Sequence, residues 1–135
     1  MLTDPTESFD ASTLYIDDTD LRGEFSRMSA ALLQWLRVLA DAADARAGAK
    51  IMLTRTKKAV ELSIRQASAK MTDKTAEAEV EVNQMVIDCV DELQRAEYIE
   101  DRCKAVVESL RTKKSMIMCL GGLARTELEV DKYTT

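Results

Sequence analysis

The side chains with the most chemical reach in this chain are cationic. Arg46, Lys50, Arg55, Lys57, Lys58 and Arg65 crowd into one short stretch. At about 100° per residue of helix, Arg46, Lys50, Lys57, Lys58 and Arg65 fall within about a third of the circumference, beside an apolar stripe of Leu53, Val60 and Ile64. Fixed positive charge along a helix can follow the phosphates of a nucleic-acid strand. Two plainer readings stand beside that one: a solvated face, or a face paired with carboxylates from elsewhere in the chain. Single-strand binders usually add aromatic platforms for base stacking, and this half of the chain has none.

Other chemistry is scarce. The chain has no histidine, so the commonest general base and metal ligand is missing. Cys89, Cys103 and Cys119 are widely spaced and odd in number, which suits reduced thiols of a cytoplasmic protein better than a disulfide framework or a zinc site. Glu77, Glu79, Glu81, Asp88, Asp91 and Glu92 are dense enough to attract a divalent cation, yet they lack the loop pattern of a calcium site and read as a solvated acidic face. There is no Gly-rich phosphate loop, no Cys/His pair and no Ser/His/Asp set. The expectation is a protein that is not an enzyme and uses no metal or cofactor.

The charges are segregated. The net charge of −5 argues against a simple nucleic-acid binder. Locally, however, residues 46–74 hold eight bases against two acids, residues 75–101 hold nine acids against Arg95, and residues 102–125 hold six bases against Glu108. Residues 1–20 hold six acids and no base. The sign alternates in blocks along the chain.

The element that must carry the cationic residues is a long helix. From Thr19 to Lys70 there is no proline, and Leu21, Phe25, Met28, Leu32, Trp35 and Leu39 stand alternately four and three apart. That spacing is a heptad seam, made to pack along other helices. These residues are the expected oligomerisation surface. A continuous helix over this stretch would span about 78 Å, too long for a compact monomer of this size, so it calls for partners. Past Leu39 the same register becomes small and polar, and Gly48 marks a place where the helix bends or changes what it faces. Asp18 or Thr19 is the expected N-cap, with Ile16 stapling onto the first turn.

Further along, Met71–Ala76 reads as a turn, with Thr72 or Thr75 as a cap. Asn83 is a candidate cap for a second helix starting near Gln84, and Gly121-Gly122 reads as its C-terminal stop. The expected fold is all-α: two long helices in an antiparallel, coiled-coil-like hairpin that assembles into a homo-oligomer. Residues 1–14 form a flexible acidic N-terminal arm, 15–125 the helical hairpin and oligomerisation domain, and 126–135 a C-terminal tail. In such a hairpin the basic block 46–74 lies near the acidic block 75–101. The acidic N-terminus reads as no signal peptide, and no apolar run reaches membrane-spanning length.

Tyr15-Ile16-Asp17-Asp18-Thr19-Asp20-Leu21, then Trp35-Leu36, then Lys57-Lys58-Ala59 resemble the tailed-phage recombination mediators of the UvsY type. Length and order of parts are similar, while the match between those motifs is sparse. The resemblance implies a small helical protein forming a ring-like homo-oligomer in the cytoplasm of a bacterial host. It implies binding to single-stranded DNA, and partnership with a RecA-like recombinase and a single-strand-binding protein, onto whose covered strands the recombinase is loaded. The family's Lys-Ala-Arg reads Lys58-Ala59-Val60 here, with Arg55, Lys57 and Arg65 nearby. A coiled-coil scaffold or assembly protein without nucleic-acid binding is the alternative, and a nuclease-inhibiting duplex-end binder a third reading.

Overall fold

A computed structural model describes residues 2–68 and 70–134, with side chains through Val130. Met1, Ala69 and Thr135, at the ends of the expected arm, helix and tail, lie outside the described residues. Three α-helices account for most of the chain: α1 (Leu21–Ala67), α2 (Asp73–Glu81) and α3 (Gln84–Thr134), preceded by two short 3-10 turns at Pro5–Ser8 and Ala11–Leu14. Among the described residues there is no strand. The two long helices pack against each other, as the periodicity predicts. By contacts the chain divides into two units, Met1–Asp4 with Ala40–Asp101, and Pro5–Leu39 with Arg102–Thr135.

In the first unit one buried cluster is made of valines. Val60 of α1, Val80 of α2 and Val86 of α3 are buried together, with Leu53, Ile64 and Val90 packed around them. The pairing is antiparallel: Arg46 reaches Glu97 and Glu100, while Cys89, further back on α3, donates to the Thr56 hydroxyl at 3.4 Å. The helix α2 was not expected as a separate element. Its two apolar anchors, Ala76 and Val80, are one helical turn apart in an acidic stretch, a weak signal by itself. Thr72 caps it by accepting from Thr75 N at 3.3 Å. It ends at Val82, and Asn83 restarts the chain as α3 by accepting from Met85 N at 2.9 Å. Both caps lie at expected positions. The break between helices is displaced toward Ser68 and Lys70–Thr72, and the described residues form three α-helices instead of two.

In the second unit Met28 of α1 and Val106, Leu110 and Ile117 of α3 form the buried cluster, with Leu32 and Trp35 against it. Residues 1–14, expected as a flexible arm, are tied down over much of their length. Phe9 and Leu14 join that cluster, together with Ile16. The cap of α1 is Asp20, one residue past the expected Asp18 or Thr19. Its Oδ1 accepts from Gly23 N at 3.1 Å and its carbonyl from Glu24 N at 2.9 Å. Asp17 serves the turn before it, accepting from the backbone and hydroxyl of Thr19. A side chain at position 23 would collide with the capping carboxylate, which is why glycine stands there.

The alternatives left open at Gly48 are narrowed, and the glycine stop at Gly121-Gly122 is corrected. The helix α1 is continuous through Gly48, and α3 runs through Gly121-Gly122 to Thr134. A glycine stop works by taking a left-handed backbone at the helix end. No glycine here has positive φ, so neither Gly121 nor Gly122 terminates anything. The tail expected from residue 126 is therefore part of α3.

Candidate nucleic-acid interface

The cationic residues sit on α1 in the first unit, where the Val60 face turns inward and the opposite face meets solvent. All six are exposed. They divide by what they touch. Arg46 is engaged by two carboxylates of α3, Glu100 at 3.5 Å and Glu97 at 3.9 Å. Arg65 is held by Asp73 at 2.7 Å and Glu61 at 3.1 Å. Hydrogen bonds from Arg65 to Asp73, and then to Glu61, raise its pKa above the ordinary arginine value. Lys50, Arg55, Lys57 and Lys58 have no carboxylate within ion-pair distance among the described residues. The expected neighbourhood of basic and acidic blocks is thus realised for these residues only at Arg46, since Glu61 and Asp73 are the two acids of the basic block itself.

Lys50, Arg55 and Lys58 line an open cleft of about 380 Å³ together with Ile51 and Thr54. Arg55 lies away from the main basic stripe on the helical projection, yet it shares this cleft. Sequence reasoning missed the apolar members of the face. Ile51 and Leu62 are more than half exposed, and with Arg55 and Lys58 they follow the spacing 51, 55, 58, 62 of one helix face. That alternation of aliphatic and cationic groups is legible in the sequence once the buried face is known. Without that knowledge, Ile51 and Leu62 pass for core. The Thr54 hydroxyl is turned back onto the Lys50 carbonyl at 3.1 Å.

The face therefore offers three to four uncompensated cations at successive turns, with aliphatic contact surface between them. It can hold a flexible polyanion by its phosphates. It has no arrangement for reading base edges, and the exposed aromatic of this unit, Tyr98, lies under the Arg95 guanidinium at 5.5 Å.

The expected oligomerisation residues belong to the second unit. Met28 is 2% exposed, Leu21, Leu32, Trp35 and Leu39 are half-buried, and Phe25 is exposed with the Lys114 ammonium 5.7 Å above its ring. The structure thus gathers Met28, Leu32 and Trp35 into this unit's own core.

This unit also holds a charged cluster that the sequence did not flag. Lys113 and Glu24 are 6% and 8% exposed and form an ion pair at 2.7 Å. Lys113 also donates to the Thr13 carbonyl, and Arg27 closes on Glu24 at 2.9 Å. Hydrogen bonds from Lys113 and then Arg27 hold the Glu24 carboxyl below the usual glutamate range.

Among the described residues no group of His, Cys, Asp and Glu is placed to hold a metal ion, and no helix is long and apolar enough to cross a membrane. Cys89 is half-buried, Cys103 buried and Cys119 exposed, and none of the three is in a disulfide. Comparison with protein-family models, curated proteins and solved structures returned no match.

Proposed function

We propose that this chain is a non-enzymatic, oligomeric binder of single-stranded DNA that acts as a recombination mediator. One observation carries the binding: Lys50, Arg55, Lys57 and Lys58 face solvent without carboxylate partners, although the chain as a whole is acidic. A solvated face gains nothing from clustering like charges, and such clustering is unfavourable until an anion neutralises it. The flexible strand fits the face because it can bend its phosphates to successive cations, whereas a duplex presents them at fixed spacing. The recombinase and the single-strand-binding protein enter as partners through the resemblance at Tyr15–Leu21, Trp35-Leu36 and Lys57-Lys58-Ala59. So does a cytoplasmic setting in a bacterial host. In that role several subunits hold the strand in an extended form, which lowers the entropic cost of nucleating a recombinase filament.

The test is a fluorescence anisotropy titration with single- and double-stranded oligonucleotides at two salt concentrations. Affinity for single strands is expected to fall steeply with salt, about 0.7 in log–log slope per phosphate neutralised. Lys57→Ala with Lys58→Ala is expected to weaken binding to all sequences about equally and to lower that slope, with helicity unchanged. No single-strand binding at low salt would overturn the proposal.

One observation favours the alternative, a scaffold without nucleic-acid binding. Met116, Met118, Leu123, Leu128 and Val130 leave much apolar surface exposed on the last turns of α3. On that reading the Lys57/Lys58 double variant has no strand affinity to lose, and assembly through α3 is unchanged by it.

A further inference from the structure

The heptad face of α1 in the second unit is covered from two sources. Val106, Leu110 and Ile117 of α3 supply one, and Phe9, Leu14 and Ile16 of the N-terminal segment supply the other. The second cover is slight. Its regular structure is two four-residue 3-10 turns, a form with poorer hydrogen-bond geometry than the α-helix, and Phe9 and Ile16 lie outside both. Phe9 meets Trp35 edge-on at 5.5 Å, and beside that contact an open cleft of about 290 Å³ runs between the segment and α1, lined by Thr13, Ala31 and Gln34. Lys113 fastens the segment through the Thr13 carbonyl.

The face beneath is self-complementary. Measured from Leu32, the seam residues lie at −4 and +3 (Met28, Trp35) and at −7 and +7 (Phe25, Leu39). A two-fold axis through Leu32 would therefore set Met28 against Trp35 and Phe25 against Leu39 of an antiparallel second copy. That pairing would cover Phe25 and Leu39 as well as the three positions nearest Phe9 and Leu14.

We propose that the segment Pro5–Ile16 is a strap that occupies the place of a second copy on α1, so that release of the strap switches on self-association through the Leu21–Leu39 seam. The inference concerns assembly alone and is read without nucleic acid. Its failure leaves the strand-binding reading standing, and the anisotropy titration tests that reading separately.

The test compares full-length wild type with Phe9→Asp, following the single tryptophan and the mass over a range of concentrations. For Phe9→Asp, Trp35 emission is expected to shift to the red in dilute solution and to return as concentration rises. The mass should at least double at concentrations where wild type is unchanged. A synthetic peptide of residues 1–16 should lower that mass again, and Leu32→Asp added to Phe9→Asp should abolish the association. Equal masses for wild type and Phe9→Asp would overturn the proposal, as would an unchanged Trp35 emission or association that the peptide does not reverse. If circular dichroism shows that Phe9→Asp has lost its helices, Phe9→Ala, which adds no charge to the cluster, decides by the same readings.

Discussion

Lys113 is the side chain on which most of the second unit's polar order converges. Its ammonium is shared by Glu24 and the Thr13 carbonyl, and Glu24 in turn takes Arg27. Lys113→Met keeps much of the buried stem but strands the carboxylate with Arg27 alone. Removing one member of an enclosed pair costs about 3–5 kcal/mol. With Arg27 remaining, a loss of about 2 kcal/mol in urea unfolding is expected. The pH dependence follows from Glu24. Its carboxyl titrates below its ordinary value, so its stabilising contribution is complete above about pH 4.3 and is lost as pH falls through the lower folded-state value. The stability gap between wild type and Glu24→Gln should therefore narrow as the solution is acidified below about pH 4. A gap that stays constant with pH would show that the pair does not form. This cluster was illegible in the sequence because Glu24 and Lys113 are far apart in the chain, and each looks like an ordinary surface residue of an amphipathic helix.

Local chemistry was read well at the element scale where it is self-contained. Thr72 and Asn83 cap helices from positions where the side chain needs only its own next few backbone N–H groups. Replacing either by Ala should cost about 1 kcal/mol. The glycines show the opposite case. Gly48, Gly121 and Gly122 are all helical, and a Cβ added at any of them would meet nothing within 4 Å. Gly121-Gly122 resembles a helix stop, yet a glycine ends a helix only when the next segment draws the backbone into the left-handed region. Gly48→Ala and Gly121→Ala should each raise stability, by up to about 1 kcal/mol. Thermal melts by circular dichroism would check this, and a loss of stability would mean that these positions bend or pack in some functional state. The helix α2 escaped notice for a related reason. Two small apolar anchors among acids carry too little periodicity to separate a short helix from a loop, and the Val60–Val86 surface is what Val80 buries against.

For the whole molecule, the all-α class and the two long helices were legible because periodicity accumulates over many turns. The division of the basic residues was not. Arg46 and Lys50 share one face of α1 a turn apart, so which of them meets a carboxylate depends on the register of α1 along α3, and a slip of about one turn would exchange them. Local field and overall charge accordingly oppose each other in this protein. With a net charge of −5 it repels a distant polyanion, whereas Lys50, Arg55, Lys57 and Lys58 attract one at close range. Log affinity against log salt should still slope downward, since the slope counts phosphates neutralised at contact and not the total charge. Adding cations next to the cleft, for example Thr54→Lys, should tighten single-strand binding several-fold at low salt and little at high salt. A flat salt response in both proteins would rule out a phosphate-bound strand.

The three cysteines give this chain a built-in means of timing its own motions. Cys89 belongs to the first unit, Cys103 to the second, and Cys119 lies in the open on α3. An alkylating reagent should consume Cys119 at the rate of a free peptide. Cys89 must first let go of Thr56, and Cys103 must wait for its unit to come apart. Mass spectrometry of a partly labelled sample would then give separate opening rates for the two units from a single unmodified protein. A ligand on the 50–58 face should slow the Cys89 clock and leave the Cys103 clock running at its former pace.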